Sequence, residues 1–384
     1  MRVLIAHNAY QQRGGEDSVV ADEVELLRAG GHEVMQMSAH NDDIAQMGRL
    51  ELAAGTLWSG ASARQMRALC SAFRPDVVHV HNSFPLLSPA VHWAAQEAGV
   101  PVVQTLHNFR LLCPQAMLLR EGRVCEDCVG RLPWRGAMRG CYRGSVTQST
   151  LLAGMLALHR GLGTWHRRVN RFIALNSFCR DKFVQGGLPA ARVVVKPNFV
   201  DLPLPPPHRR EGLLFVGRLS PEKGLGVLAA ASRELAAPVT VVGSGPMEQS
   251  LRGEPGLRLL GAMPMDQVMK QMQSAAALVL PSVWYENFPR TLVEAWACGL
   301  PVIASRLGAM ADLIEEGVTG VLFEPGDARS LENKLVWASR HPDLLAQMGR
   351  QARLHYEQHY TAERNRAQLL SIYGDAIAEG PRDE

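Results

Sequence analysis

The sequence has 384 residues, which is enough for two domains that each bury a sizeable core. Its 40 basic residues nearly balance its 37 acidic residues, so the net charge of +3 excludes a protein that binds nucleic acid through overall charge. No window approaches the run of about 18 apolar residues that a membrane span needs, and the chain opens directly on a strand pattern, so we expect neither a span nor a signal peptide.

The N-terminal segment has the pattern of a β-α-β unit. Arg2–His7 is an apolar run typical of a buried strand, and Asp17–Ala29 has the periodicity of an amphipathic helix. Gly14 and Gly15 lie in the loop that joins them. A chain that starts in this way predicts a parallel sheet in a protein of the α/β class.

Two later strands of the first half end in histidine and asparagine. One ends at His79, His81 and Asn82, and the next ends at His107 and Asn108. His79 and His81 face the same side, because alternate residues of a strand share a face. Two interpretations remain open, namely a metal site or polar residues at the carboxyl edge of a sheet, where open α/β folds bind their ligands.

Cysteines are concentrated in an insertion at residues 108–145. Four of the seven lie within 29 residues: Cys113, Cys125, Cys128 and Cys141. The spacing C-x11-C-x2-C-x12-C predicts a closed tetrahedral zinc site that orders this loop, with buried free thiols and an iron–sulfur cluster as alternatives. An odd number of cysteines without a secretory signal predicts a reducing compartment, and hence a cytoplasmic protein.

The segment 131–180 is strongly basic. It contains nine arginines and no acidic residue, interleaved with Trp134, Tyr142, Trp165 and the apolar run Leu151–Leu158. Such a face suits an anionic membrane surface, where each charge contributes ~1 kcal/mol, and would place the protein at the inner face of the cytoplasmic membrane. A pyrophosphate-bearing acceptor and solvated arginines without a partner are the two alternatives.

Residues 201–211 are rich in proline and are predicted to link two domains, 1–200 and 212–360. Beyond the linker, a second series of strands alternates with helical patterns, and 328–378 is charged and helix-patterned throughout. The predicted strands are Leu213–Val216, Val239–Val242, Leu257–Leu260, Leu278–Leu280, Val302–Ala304 and Val321–Phe323.

Two turns after strands of this second series contain glycine. The first combines glycine with positive charge: Gly217, Arg218, Lys223 and Gly224. The second is built on glycine alone: Gly243 and Gly245. The first has the pattern of a strand, a turn and a helix start that carries two cations, and the second is an apolar strand that breaks at glycine.

A third turn places two carboxylates, Glu286 and Glu294, eight residues apart. If Arg290–Cys298 is a helix, at roughly 100° and 1.5 Å per residue, the two lie about 80° apart around its axis and ~12 Å apart along it. They therefore cannot act as a paired acid and base. The free N–H groups of Asn287 and Phe288 at the helix start suit a phosphate between them, although two solvated glutamates are the simpler interpretation of this spacing alone.

Together, these three turns resemble the nucleotide-sugar half of the retaining glycosyltransferases of family four. The family's G-R-x-x-x-x-K-G pattern is complete in Gly217–Gly224, and its E-x7-E element is present in Glu286–Glu294, with Asn287 where glycine is more common. The resemblance implies the GT-B architecture, in which two doubly wound, Rossmann-like α/β domains face each other across a cleft. It also implies that a terminal helix within 361–384 crosses back to the first domain.

The resemblance further implies an activity, the transfer of a sugar from a UDP- or GDP-sugar to a hydroxyl of a glycan or lipid-linked acceptor. Bacterial surface polysaccharide or glycolipid synthesis would be the setting. Neither a catalytic divalent metal nor a nucleic-acid partner is expected. Two alternatives remain, a nucleotide-sugar epimerase or hydrolase on the same scaffold and a zinc-ribbon module that binds nucleic acid through the basic segment.

Site residues carry over from the family one by one. Arg218 and Lys223 would stabilise the leaving diphosphate, Glu294 would bind the ribose, and Glu286 would hold the donor sugar. His107 would face the sugar, but the aspartate that often follows it is Asn108 here, so only the histidine carries over. The remaining positions would line the donor: Gly14, Gly15, Gly217, Gly243, Gly245, Asn287, Phe288 and Pro289.

Overall fold

The computed structural model describes residues 1–11, 14–202 and 210–382. The chain divides into two compact units. Unit 1 comprises Met1–Leu118, Glu126–Asn198 and Glu363–Glu384, and unit 2 comprises Leu119–Cys125 and Phe199–Ala362. Most of the proline-rich segment predicted as a linker, 203–209, lies outside the described residues.

The strands of the described residues run as follows in chain order: β1 (Arg2–Ala9), β2 (Glu33–His40), β3 (Val77–Asn82), β4 (Val102–Thr105), β5 (Leu119–Arg120), β6 (Arg123–Val124), β7 (Arg171–Ala174), β8 (Val193–Val195), β9 (Leu213–Val216), β10 (Val239–Val242), β11 (Leu257–Gly261), β12 (Ala277–Leu280), β13 (Val302–Ser305) and β14 (Gly320–Phe323). The six strands predicted for the second half all form, each within one residue of its predicted bounds.

The α-helices are α1 (Gly15–Ala29), α2 (Arg49–Leu57), α3 (Gly60–Phe73), α4 (Ala90–Glu97), α5 (Trp134–Met138), α6 (Val146–Gly161), α7 (Thr164–Arg167), α8 (Ser177–Gln185), α9 (Leu225–Ser232), α10 (Glu248–Leu251), α11 (Met265–Ser274), α12 (Arg290–Ala297), α13 (Ala309–Leu313), α14 (Ala328–Arg340), α15 (Pro342–His359) and α16 (Ala362–Glu379). None of the helices in the described ranges has the length and apolar composition needed to cross a bilayer.

Helix α1 begins two residues earlier than predicted. Gly14 is extended and caps the helix, and its N–H donates to Asp17 Oδ2 at 2.8 Å. The long pattern 328–378 is divided into three helices, α14, α15 and α16. Pro342 begins α15, because proline lacks the N–H that would continue α14 but fits the first turn of a new helix.

Each unit contains a six-stranded parallel sheet. The strand order is β2-β1-β3-β4-β7-β8 in unit 1 and β11-β10-β9-β12-β13-β14 in unit 2, whereas β5 and β6 form a separate antiparallel hairpin. The order reverses between β1 and β3 in the first sheet and between β9 and β12 in the second. These are the switch points at which open α/β sheets bind ligands, at the carboxyl ends of their strands.

Helices cover both faces of the unit 2 sheet. One core surrounds Trp296 of α12, and the other contains Leu228 of α9 and Leu335 of α14, all fully buried. In unit 1, α1 and the terminal helix α16 share a core with β1, where Leu27 and Tyr373 are fully buried. The prediction of doubly wound α/β units is confirmed for each sheet, since apolar strands buried on both faces need helices on both sides.

Candidate active site

In unit 2, the predicted glycine turns pack tightly at the carboxyl ends of β9, β10 and β12. Gly224 has φ of +72°, and a Cβ there would lie 1.8 Å from the carbonyl oxygen of Pro281. Gly243 has φ of +140°, and its Cβ would lie 1.9 Å from the carbonyl oxygen of Gly217. Because no side chain fits at these contacts, glycine is what allows the turns to meet.

Lys223 and Glu286 form an ion pair in this region. The Lys223 Nζ lies 2.7 Å from Glu286 Oε1, and the Ser282 hydroxyl donates to the same oxygen at 2.7 Å. Glu286 is buried, whereas 26% of the Lys223 side chain is exposed to solvent. The carboxylate therefore holds the ammonium in a fixed place with one side open. The ring of Trp284 lies 5.8 Å from the same Nζ.

Helix α12 carries the second glutamate of the motif. Glu294 is buried, and Arg290 Nε lies 3.1 Å from its Oε1, one helical turn away. The helix starts at Arg290 after Pro289, which supplies no side-chain cap to its first N–H groups. Because α12 ends at Ala297, the predicted helix is one residue too long.

The other predicted donor-site residues of unit 2 lie around these groups. Asn287 is buried, and the Phe288 ring packs on Tyr360 with centroids 6.3 Å apart. Arg218 is exposed in the turn after β9. Gly245 follows β10 and is also in close contact with backbone, since a Cβ there would lie 2.5 Å from the Leu219 carbonyl oxygen. Unit 2 therefore places Arg218 and Lys223 after β9, and the loop that enters α12 after β12, at the switch point between these two strands.

In unit 1, the loop after β1 is organised by Asp17. Its Oδ1 lies 2.8 Å from His7 Nε2, while its Oδ2 accepts from the Gly14 N–H. Gly15 is the first residue of α1. Next to it, burial raises the pKa of Glu16 to about 8, and the Tyr10 hydroxyl donates to its Oε2 at 3.0 Å. Burial thus shifts Glu16 toward its protonated form at neutral pH, which was not expected from the sequence.

Three histidines meet at the carboxyl ends of β3 and β4. His81 Nδ1 lies 2.9 Å from His107 Nε2, and the rings of His79 and His81 have centroids 4.1 Å apart. His79 is also held by hydroxyls on both ring nitrogens, those of Tyr373 and Thr105, each at 2.8 Å. The prediction that His79 and His81 share a face is therefore correct.

Glu23 and Lys196 complete this cluster. Lys196 Nζ lies 2.7 Å from Glu23 Oε1, and both side chains are almost fully buried. Glu23, His79 and His81 bring ligand atoms within 4.8 Å of one another, the grouping that a metal ion needs. Glu23 was not predicted as a site residue. Helical periodicity could have identified it, because it lies on the same buried face of α1 as Val20, Val24 and Leu27.

Burial sets the charge states of the cluster. It lowers the pKa of His107 to about 3 and holds the pKa of His81 well below its usual value, so both rings are neutral at pH 7. Burial alone would raise the pKa of Glu23, but the charge and hydrogen bond of Lys196 together with the neighbouring His81 and His107 outweigh burial, and the pKa is lowered. The cluster thus contains a carboxylate, an ammonium and neutral imidazoles.

Asn108, where the family often has aspartate, has a local structural role. Its side chain accepts from the Arg110 N–H at 3.0 Å and caps the short 3-10 helix Phe109–Leu111. That helix follows directly after His107. An asparagine oxygen serves this cap as well as a carboxylate would, because both are good acceptors for a helix N-terminus.

The four clustered cysteines differ in their exposure to solvent. Cys113 and Cys128 are buried, Cys125 and Cys141 are half-buried, and no disulfide joins them. Within the described ranges, the group with metal-binding geometry is the one at Glu23, which includes none of these cysteines. The zinc site stays a prediction from sequence. The scattered Cys70, Cys179 and Cys298 are buried, as expected of core residues.

Comparison with known proteins finds two family models that match this chain. The family model described as Glycosyltransferase Family 4 matches residues 13–203, and that described as Glycosyl transferases group 1 matches residues 203–355. A GDP-mannose-dependent alpha-mannosyltransferase of Corynebacterium glutamicum is 34% identical, over 100% of this chain and 91% of that protein. A phosphatidyl-myo-inositol mannosyltransferase of Mycobacterium leprae is 26% identical, over 100% of this chain and 99% of that protein.

Solved structures show the same fold. The Anabaena protein HepE in complex with UDP matches with a TM-score of 0.68 at 18% identity, covering 97% of this chain and 100% of that one. Sucrose-phosphate synthase from Thermosynechococcus elongatus matches with a TM-score of 0.72 at 17% identity, covering 98% and 99%. With two doubly wound units and a full-length relative at 34% identity, the chain belongs to glycosyltransferase family 4 and has the GT-B fold.

Proposed function

We propose that this glycosyltransferase moves a sugar, with retention of anomeric configuration, from a nucleotide-diphosphate sugar to a hydroxyl of a glycan or lipid-linked acceptor. The observation that carries the proposal is the Lys223–Glu286 ion pair, which fixes an ammonium against the loop that leads into α12. A glycosyl transfer needs negative charge stabilised on the departing diphosphate, and fixed cations with helix N–H groups do this without reorganisation.

The other unit 2 residues have roles around this ammonium. Arg218 shares the diphosphate with Lys223, and the N–H groups near Phe288 support it. Glu294, fixed by Arg290, accepts from the ribose hydroxyls, and Glu286 contacts the donor sugar while holding Lys223. In unit 1, His107 contacts a sugar hydroxyl. Retention and the donor class come from the family resemblance, and the structure supplies a geometry compatible with them.

GDP-mannose is the first donor to test, because the relatives from Corynebacterium and Mycobacterium are named as mannosyltransferases. UDP-glucose is the second, since HepE is known in complex with that sugar nucleotide. We expect purified protein to release nucleotide from one of these donors at least tenfold faster when a lipid-linked or glycan acceptor is present. The measurement is a coupled nucleotide-release assay over a donor and acceptor panel.

The same assay separates the alternatives. Incubation with donor alone that yields an epimerised sugar, or free sugar at the full rate, would show an epimerase or hydrolase instead. Product anomers read by NMR test retention, and an inverted anomeric centre would overturn that part of the proposal. A double variant Arg218→Ala/Lys223→Ala is the matched control, because it removes both proposed diphosphate cations from the same protein.

We propose further that unit 1 rests on an anionic membrane at the cytoplasmic face. Leu132 precedes the short helix α5, and Trp134 and Met138 are its first and last residues; their side chains are 63%, 55% and 69% exposed. Arg131 is exposed beside them, and Arg135 stacks its guanidinium on the Trp134 ring. Exposed aromatic and aliphatic groups among arginines suit the boundary between lipid headgroups and acyl chains.

The double variant Trp134→Ser/Met138→Ser is expected to bind vesicles containing anionic phospholipid at least tenfold more weakly. Removing one large apolar side chain from lipid costs about 1.5–3 kcal/mol, and 1.4 kcal/mol is a tenfold change in affinity. Co-sedimentation with the vesicles measures this change in affinity. Leu344→Ser is the matched control, because Leu344 is an exposed aliphatic residue of unit 2. Equal vesicle binding by all three proteins would contradict a membrane role for α5.

A further inference from the structure

A chain of buried polar contacts leads to His107 in unit 1. Lys196 Nζ contacts Glu23 Oε1 at 2.7 Å, Glu23 Oε2 lies 3.4 Å from His81 Nε2, and His81 Nδ1 lies 2.9 Å from His107 Nε2. The proposed roles in sugar transfer include His107 but give none to Glu23, Lys196 or His81. Buried charged side chains are rarely retained without a partner or a function.

The contact between Glu23 and His81 needs an explanation. Glu23 Oε2 and His81 Nε2 are both buried, and neither has a hydrogen-bond partner in the described residues. The two atoms face each other at 3.4 Å, which leaves no room for a water molecule between them. Of the two neutral tautomers of His81, the one protonated on Nε2 places an N–H beside the carboxylate, whereas the other would place a lone pair against its negative charge.

The tautomer of His81 determines the tautomer of His107. A neutral imidazole protonated at Nε2 has an unprotonated Nδ1, which accepts a hydrogen bond. His81 Nδ1 therefore accepts from His107, whose proton must be on Nε2. The remaining nitrogen, His107 Nδ1, is then a lone-pair acceptor. It has no hydrogen-bond partner among the described residues, and its ring is partly exposed.

We propose that Glu23 is a positioning residue that fixes the tautomer of His107 through His81, so that His107 presents an unprotonated Nδ1 to a substrate hydroxyl. This proposal rests on the proposed function only where it says what His107 contacts. Lys196 maintains the carboxylate in its ionised state, and Asn365 Oδ1 accepts a second bond from the same ammonium at 3.1 Å. The chain thus sets the donor and acceptor side of each polar contact from the buried ammonium outward.

A metal ion at Glu23, His79 and His81 is the competing interpretation. It would have to displace the Tyr373 hydroxyl from His79 Nδ1, since Thr105 occupies the other nitrogen. It would also add positive charge to a carboxylate already paired with a buried ammonium. A metal would thus remove the contact with Tyr373 and compete with Lys196 for the carboxylate, whereas the tautomer chain keeps both contacts.

Imidazole nitrogen shifts measured by ¹⁵N NMR test the proposal without any substrate. In the wild-type protein, His81 and His107 are expected to be protonated on Nε2 and unprotonated on Nδ1, with spectra unchanged by a chelator. The variants His81→Gln and His107→Ala assign the signals. Protonation of His107 on Nδ1, or a spectrum that changes when EDTA removes a metal, would overturn the proposal regardless of which reaction the protein catalyses.

The variant Glu23→Gln is expected to invert the chain. Lys196 has only donors, so it retains the glutamine oxygen, and the amide N–H₂ must face His81. His81 then accepts on Nε2 and donates from Nδ1, which forces His107 to carry its proton on Nδ1. The opposite tautomer should appear in the NMR spectrum. Glu25→Gln, an exposed position on the same helix, is the matched control and should leave both rings unchanged.

Kinetics supply the second readout. Glu23→Gln should lower kcat at least tenfold with donor affinity unchanged within about twofold, because the residues assigned to the diphosphate and the ribose, Arg218, Lys223 and Glu294, lie in unit 2. In a His107→Ala background, the same substitution should have no further effect on kcat, since the residue through which it acts is gone. Additive losses in the double variant, or full activity in a Glu23→Gln protein with inverted tautomers, would overturn the proposal.

Discussion

Alanine at Lys223 is expected to lower kcat about 100- to 1000-fold, because removal of one group that stabilises developing charge typically has that effect. The ammonium is fixed at 2.7 Å from Glu286 before any donor arrives, so its help costs no reorganisation during the reaction. Arg218→Ala should have an effect of the same order. Steady-state kcat at saturating donor and acceptor is the measurement.

The fold should survive both changes. Arg218 is exposed, and Glu286 retains the Ser282 hydroxyl at 2.7 Å when Lys223 is removed. A thermal melt close to that of wild type would establish this. Lys270→Ala is the matched control, because Lys270 is an exposed lysine of unit 2 on α11, away from the glycine turns. Near wild-type turnover in both variants would show that these cations do not act on the diphosphate.

The strands of unit 2 could be predicted almost to the residue because each is a short apolar run. β10 (Val239–Val242) is followed by Gly243, and β13 (Val302–Ser305) comes directly after Pro301, so composition marks their ends. The end of the chain was harder, because α14, α15 and α16 are all amphipathic and charged. Pro342 is the residue there whose type signals a helix boundary, and helical periodicity alone does not show where one helix ends and the next begins.

The site could be predicted only where its residues follow one another in sequence. The Gly217–Gly224 turn is local, so its pattern is visible in the chain. The pairing of Lys223 with Glu286 spans 63 positions and depends on β9 lying next to β12, which the strand order decides. No local pattern shows that a cation of one turn and a carboxylate of another will meet.

Glu23 illustrates the same limit in unit 1. It is 173 positions from Lys196, and in the sequence it is one acidic residue among several on α1. Its place on the apolar face could have been found from helical periodicity, but its partner could not. The raised pKa of Glu16 could not be predicted from the sequence either, because burial raises it to about 8 and burial depends on the packed structure.

Glutamine at Glu294 is expected to weaken donor binding about 10- to 100-fold and to change kcat little. A hydrogen bond to a charged group is worth about 1.5–3 kcal/mol, and the ribose hydroxyls are held alike in the ground and transition states. Glu286→Gln should do the reverse, because Glu286 positions Lys223, whose charge matters most when the diphosphate leaves. Glutamine retains the shape of both buried side chains, so packing changes little.

Donor affinity from calorimetry and the chemical rate from single-turnover kinetics separate the two effects, which steady-state KM alone does not. Glu332→Gln on α14 is the matched control, because it is a glutamate of unit 2 outside the glycine turns and the E-x7-E motif. We expect its affinity and rate to match wild type. If both motif variants lost affinity and rate in equal measure, the assignment of Glu294 to the ribose and Glu286 to the reacting end of the donor would be wrong, because residues with separate roles must affect separate steps.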